Sequence, residues 1–175
     1  MHEALTDGTV TLVPLGRADF DAHFAGEDEQ LARWLSGGPS TPEGLRDYLE
    51  RCERWWEAGG PFHNFGIRTG AMLTLAGTVD VQVGMPYLAP GQVNLAYGLY
   101  PQWRGRGLAT RAVELACDYA AGLGCAEAVI RCAPENRRSA AVAERAGFTF
   151  SQRRSEPDGT VLDWHTRALH PAAAR

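Results

Sequence analysis

TVTLVPL (residues 9–15) alternates apolar and polar positions, the period of a strand with one face buried, and predicts an opening strand. From Arg17 to Leu35 the apolar positions take helical spacing but are interrupted, which reads as one broken helix or two short ones. The loop SGGPSTPEG (36–44) leads into a helix start, with Thr41 as N-cap, Pro42 at the first helical position and Glu43 in the first turn. Leu45, Tyr48, Leu49, Cys52, Trp55 and Trp56 then share one helical face, and the pattern stops before GGP (59–61). Trp55 and Trp56 continue this stripe and read as core. FHNFGIR (62–68) and MLTLAGTVDVQV (72–83) return to strand period and predict an antiparallel meander.

QVNLAYGLY (92–100) is a further strand ending at Pro101. Residues 108–122 are helical, with Leu108, Ala112, Leu115 and Tyr119 on one face. AEAVIRCA (126–133) reads as a buried strand and Asn136 to Ala146 as a short helix. FTFSQRR (148–154) and TVLDWHTRAL (160–169) form a hairpin around EPDG, followed by a frayed HPAAAR tail (170–175). Strands 92–100 and 126–133 are joined through a helix, a crossover that predicts parallel pairing. The class is α/β with a mixed sheet. No repeat or linker divides the chain, so a single domain over 1–175 is expected, its ordered core about 8–169.

Composition narrows the function. With 175 residues, 45% hydrophobic and 22% charged, the chain can bury one core, and neither disorder nor a fibrous class fits. Seventeen basic against twenty-one acidic residues give −4, which argues against direct nucleic-acid binding. All seventeen basic residues are arginine, which excludes a lysine Schiff base and a Walker A lysine. MHEALTDGTVTLVPL holds no apolar run long enough for a signal peptide or membrane span. The four cysteines (Cys52, Cys117, Cys125, Cys132) lack C-x-x-C spacing and a nearby histidine pair, so neither a metal site nor a disulfide framework is expected. Cytoplasm, with reduced thiols, is the expected location.

The chemistry concentrates in PQWRGRGLATRA (101–112). Amides at a helix N-terminus have no intrahelical partner, the helix dipole is positive there, and glycines let an anion approach. With Arg104 and Arg106 alongside, the stretch reads as a phosphate or pyrophosphate site, or otherwise as a solvated arginine pair. A dinucleotide fingerprint does not fit. PQWR separates the glycines from the strand, and VIRCAP lacks the acidic residue expected at the end of the next strand.

RGRGLA (Arg104–Ala109) matches the R/Q-x-x-G-x-G/A signature of the GNAT superfamily of N-acetyltransferases. IRCAPENRRSAAVAERAGF (130–148) resembles the RimJ/RimL branch, whose helix follows a similar Asn-x-x-Ser and ends in Gly-Phe. The two blocks have the expected order and spacing, and the predicted elements agree from residue 9 to about 169. The resemblance implies a central, mostly antiparallel sheet with one splayed parallel strand pair, flanked by helices on both faces. It implies acetyl-CoA as co-substrate and an amine as acceptor, either a protein N-terminus or a small molecule. The backbone of Tyr97, Gly98 and Leu99 would pair with the pantetheine arm, and an amide near Leu99 would polarise the thioester carbonyl. Arg104 and Gly105 open the signature, and the amides of Arg106, Gly107, Leu108, Ala109 and Thr110 would hold the pyrophosphate. Asn136 either contacts the cofactor or caps its helix.

For catalysis the resemblance gives a partial set. The tyrosine that many members place seven residues after the helix asparagine is Ala143 here, and the RimL-like branch instead uses a serine at the position of Ser139. The glutamate some relatives carry five residues before the asparagine is Arg131, which accepts no proton. RimL-like enzymes place a carboxylate after Gly-Phe, where Glu156 and Asp158 fall, although EPDG is also a good turn. Asp80, His63 and His165 are further ionisable candidates. Trp34 and SGGPSTPEG would wall the acceptor groove; Trp103 would stack on the cofactor or simply pack. The missing tyrosine and glutamate leave open an acyl-CoA-binding module without catalysis. Homodimers are frequent in this branch, so self-association is plausible.

Overall fold

The structure is a computed structural model and describes residues 4–170. Eight strands form one sheet in the order β1-β2-β3-β4-β5-β6-β8-β7. They are β1 (Leu5–Thr6), β2 (Val10–Pro14), β3 (Phe62–Thr69), β4 (Thr74–Val83), β5 (Gln92–Leu99), β6 (Glu127–Cys132), β7 (Thr149–Ser155) and β8 (Val161–Ala168). All neighbours pair antiparallel except β5 and β6, which run parallel as the crossover requires. The short β1 lies ahead of the opening strand read from the sequence. Of the tail, residues 171–175 lie outside the described residues.

The interrupted pattern of 17–35 becomes four pieces: a tight turn Arg17–Asp19, helix α1 (Phe20–Gly26), a single turn α2 (Glu29–Leu31), and a wide π-turn Ala32–Ser36. Helix α3 (Pro42–Ala58) starts as read, Thr41 Oγ1 accepting from the Gly44 amide. It ends at Gly59, whose φ of 75° suits glycine. Helix α4 (Leu108–Gly122) fills the crossover, and α5 (Arg137–Arg145) follows β6.

Two apolar cores sandwich the sheet. Leu12, Phe65, Ile67, Val79, Val81, Val93 and Leu95 pack against Ala112, Val113, Ala116 and Ala120 of α4. On the other face Leu45, Leu49 and Cys52 of α3 pack against Leu15, Leu75 and Tyr100. The alanine-rich face of α4 brings that helix close to the sheet.

One break in regularity positions the site. β5 pairs with β4 along its length, from Gly77↔Leu99 to Val83↔Val93. It pairs with β6 only at Gln92↔Glu127, Val93↔Ala128 and Asn94↔Val129. Beyond Asn94 the two strands separate, and the β5 backbone from Leu95 to Leu99 faces a gap on that side. Backbone groups left open at a splayed strand pair are a ready partner for an extended ligand.

Candidate active site

The splayed gap opens onto the N-terminus of α4. A short turn Pro101–Trp103 carries the chain from β5 to Gly105 and Gly107, both with φ of 74°, a conformation that favours glycine. Gly107 is the N-cap and contributes no side chain, so the amides of Leu108, Ala109 and Thr110 are left for a ligand. The Thr110 hydroxyl is buried and has no hydrogen-bond partner among the described residues. These features fit a pyrophosphate.

Around this loop lies a cleft of about 810 Å³ lined by Tyr97, Gly98, Leu99, Arg104, Gly105, Gly107, Ala109, Thr110, Asn136 and Ser139. Nine of the eleven residues named for the cofactor thus surround one cavity. The other two are Arg106, whose side chain is exposed with its guanidinium 5.2 Å from the Trp103 ring, and Leu108, which is buried in the core. Arg104 is not free for phosphate: its guanidinium grips the Asp28 carboxylate at 2.7 and 2.8 Å and donates to Leu99 O at 2.9 Å. These bonds from Arg104 hold the Asp28 carboxyl below its ordinary range. The cleft's opposite wall carries Arg137, Arg138 and Arg145 from α5, absent from the sequence-based set although the Arg137–Arg138 pair is visible in the chain. Trp34 also lines this cleft, not the acceptor groove for which it was expected.

A second cavity, about 540 Å³, lies on the α3 face of the sheet and is lined by His23, Glu27, Ser40, Tyr48, Arg51, Thr78, Asp80, Gln82 and Ala96. Its rim is the 36–44 loop, held by Glu27, which accepts from the Ser40 amide at 2.6 Å and hydroxyl at 2.7 Å. Strand register aligns Asn64, Asp80 and Ala96 across β3, β4 and β5, with Thr78 opposite Gly98. Period two then puts Thr78, Asp80 and Gln82 on this face. Asp80 Oδ1 is enclosed without a hydrogen-bond partner among the described residues. Burial pushes the carboxyl up to about 6, with Asn64 opposing through a hydrogen bond. His23, on the opposite wall, meets the Tyr100 hydroxyl at 2.7 Å, and burial lowers its pKa.

The remaining candidates divide. Ser139 is at the cleft: its Oγ lies 3.1 Å from the Tyr97 hydroxyl, which also donates to Ser139 O at 2.9 Å. Burial raises the Tyr97 pKa, so that phenol stays protonated. Asn136 Oδ1 accepts from the Ser139 amide at 3.2 Å as N-cap of α5 while lining the cleft. Glu156 and Asp158 line neither cavity. Glu156 faces Arg131 at 3.5 Å, and Asp158 accepts from the Thr160 amide within the hairpin turn. His63 is buried against the Tyr119 hydroxyl at 2.9 Å, and His165 is buried edge-on to Phe150. Trp56 is buried, its indole donating to Asn64 O at 2.8 Å. Asp80 and Glu27 are the carboxylates that line the second cavity, and Glu27 is taken up by Ser40.

No curated protein matches the sequence. Solved structures match along nearly the whole chain. An acetyltransferase from Agrobacterium tumefaciens str. C58 is 26% identical with a TM-score of 0.75, covering 95% of this chain and 95% of that one. RimL, a ribosomal L7/L12 alpha-N-protein acetyltransferase solved with coenzyme A, is 18% identical with a TM-score of 0.80, covering 95% and 98%. The aminoglycoside acetyltransferase AAC(6′)-Ib, in complex with coenzyme A, is 17% identical with a TM-score of 0.76, covering 91% and 95%. The acetyltransferase (GNAT) domain profile matches residues 9–149, most of the chain, and with it the protein belongs to the GNAT acetyltransferases.

Proposed function

We propose that this protein transfers the acetyl group of acetyl-CoA to a primary amine, with Asp80 as general base and Ser139 at the leaving thiolate. The observation that carries this reading is the meeting of two cavities at Gly98. One is a cleft beside an open β5 backbone and a phosphate-ready helix end; the other is a pocket with a proton-accepting carboxylate. The residues fit the co-substrate: the α4 amides and Thr110 for its pyrophosphate, the Leu95–Leu99 backbone for its pantetheine arm, and the α5 arginines for further phosphate charge.

An amine is protonated at neutral pH and must lose a proton before it attacks the thioester carbonyl. Asp80 is largely ionised at pH 7, yet a better base than an ordinary aspartate because burial raises its pKa. It accepts the ammonium proton directly or through one water. The nitrogen lone pair forms the C–N bond and the C–S bond breaks. The Ser139–Tyr97 hydroxyl pair passes a proton to the thiolate and is refilled by the second proton that the nitrogen sheds as the amide forms, while Asp80 releases the first to solvent. An amide of β5 near Leu99 supports the oxygen that gains charge meanwhile.

The Asn136–Ser139 arrangement supports placing the chain in the RimJ/RimL branch. The acceptor is a small amine or the first residue of a protein chain, the two kinds on which AAC(6′)-Ib and RimL act by name. The test is thermal unfolding with and without acetyl-CoA, followed by thiol release from acetyl-CoA with aminoglycosides, polyamines and short peptides. An upward shift in Tm and amine-dependent thiol release support the reading. No shift at millimolar acetyl-CoA would sink it; a shift with no release from any amine would favour a binding module.

A further inference from the structure

The two cavities share Leu31, Leu35 and Gly98. A Cβ placed on Gly98 would lie 2.4 Å from Leu31 Cδ2 and 2.6 Å from Leu35 Cδ1, so both leucines rest directly on the bare β5 backbone. Leu35 remains 45% exposed; Leu31 is half-buried against the α3-side core, and both line the two cavities. Both ride on one short segment, Leu31 at the end of α2 and Leu35 in the π-turn, whose wider winding is an irregularity common at functional positions.

That segment is held at both ends. Arg104 fixes Asp28, the N-cap of α2, and Gln30 bridges Arg104 and Arg138 at 3.2 and 3.0 Å. Beyond the π-turn, Glu27 fastens Ser40. The leucines are therefore anchored to the cofactor loop itself.

We infer that Leu31 and Leu35 set the length of the acyl group, forming with Gly98 a junction that takes two carbons and turns longer chains away. This rests on the transferase reading above. A group passed from the cofactor cleft to the acceptor pocket must occupy the place where the cavities meet, and these three residues bound it. The leucine methyls already fill the space over Gly98, so an added methylene collides with them. A longer chain that threads past them enters the acceptor pocket and displaces the amine.

The test is calorimetric titration of the full chain, as wild type, Leu35→Ala, Leu31→Ala and Leu35→Phe, with CoA, acetyl-CoA, butyryl-CoA and hexanoyl-CoA. One methylene more or less in an apolar site is worth about 10–200-fold, so each alanine variant is expected to raise the butyryl-to-acetyl affinity ratio at least about tenfold. Each acyl-CoA affinity is read relative to CoA on the same protein, which removes any change in CoA binding itself, and Leu35→Phe should sharpen the preference for acetyl. Leu35 is part-exposed, so its truncation is not expected to threaten folding. Unchanged acyl ratios in the alanine variants, with CoA still bound, would overturn the inference and leave the transferase reading standing. Wild type that binds no CoA would overturn both.

Discussion

Replacing Asp80 by Asn separates the cost of this carboxylate from its use. In the unfolded chain the group titrates at 3.8; in the folded protein burial pushes it up to about 6. The folded state therefore holds this proton more tightly than the unfolded chain between those two values. Its contribution to stability is complete below pH 3.8 and is lost as pH rises through about 6, above which the penalty is constant. At 1.36 kcal/mol per pH unit the interval from 3.8 to about 6 amounts to about 3 kcal/mol. The Asp80 residue is only half-buried, and solvent screening brings the expectation to about 1–3 kcal/mol. Asparagine keeps the shape and the acceptor for Asn64 and removes the charge. Asp80→Asn should therefore match the wild-type Tm at pH 4 and exceed it at pH 8 by about 2–12 °C, at about 2–4 °C per kcal/mol for a chain of this size. The same variant should lose about 10²–10⁴ in kcat/KM, the usual range for a general base. Thermal unfolding at pH 4, 6 and 8, with thiol release at pH 8, reads both quantities. An offset equal at pH 4 and 8, or a variant less stable at pH 8, would refute the account of an uncompensated charge. Undiminished kcat/KM would remove Asp80 from the mechanism.

Ser139→Ala should lower kcat about 10²-fold with the KM for acetyl-CoA within about twofold, in steady-state thiol release, because the proposed mechanism uses its hydroxyl, paired with Tyr97, on the leaving thiolate and not on the phosphates. Arg104→Ala should lower the Tm of the ligand-free protein by leaving Asp28 unpaired, whereas Arg106→Ala should leave that Tm unchanged and shrink the rise produced by acetyl-CoA; both are read in one thermal-shift series. Asn136→Ala should cost about 1 kcal/mol through loss of the α5 cap, about 2–4 °C in Tm, and the remaining CoA affinity by calorimetry measures its contribution at the cleft.

The parts of this molecule that were legible in the sequence are those set by local physics. Period-two and helical patterns gave the core strands and α3, and a crossover between 92–100 and 126–133 required the parallel pair. The glycines of RGRGLA and the asparagine three before Ser139 marked two helix starts that line one cleft, since helix termini announce themselves in a few adjacent residues. Arg104 shows the limit of such reading. Its place beside the cofactor loop was visible, but its partner Asp28 is 76 residues away, so nothing local distinguished a phosphate ligand from a brace. Asp80 could be named as ionisable but not ranked, for a related reason. In TVDVQV it is an ordinary polar residue at an alternating position, indistinguishable from a solvated one. Only the register of three strands puts Asn64 and Ala96 on either side of it and Tyr48 of α3 above it in the same pocket. Glu156 and Asp158 drew attention because their turn lies next to a recognisable motif, but Asp158 is satisfied by Thr160 within that turn and Glu156 pairs with Arg131 of β6. The division follows from how the fold works. Binding phosphate needs backbone donors that a short stretch can supply, whereas raising a carboxylate's pKa needs a buried site that only distant segments can build together.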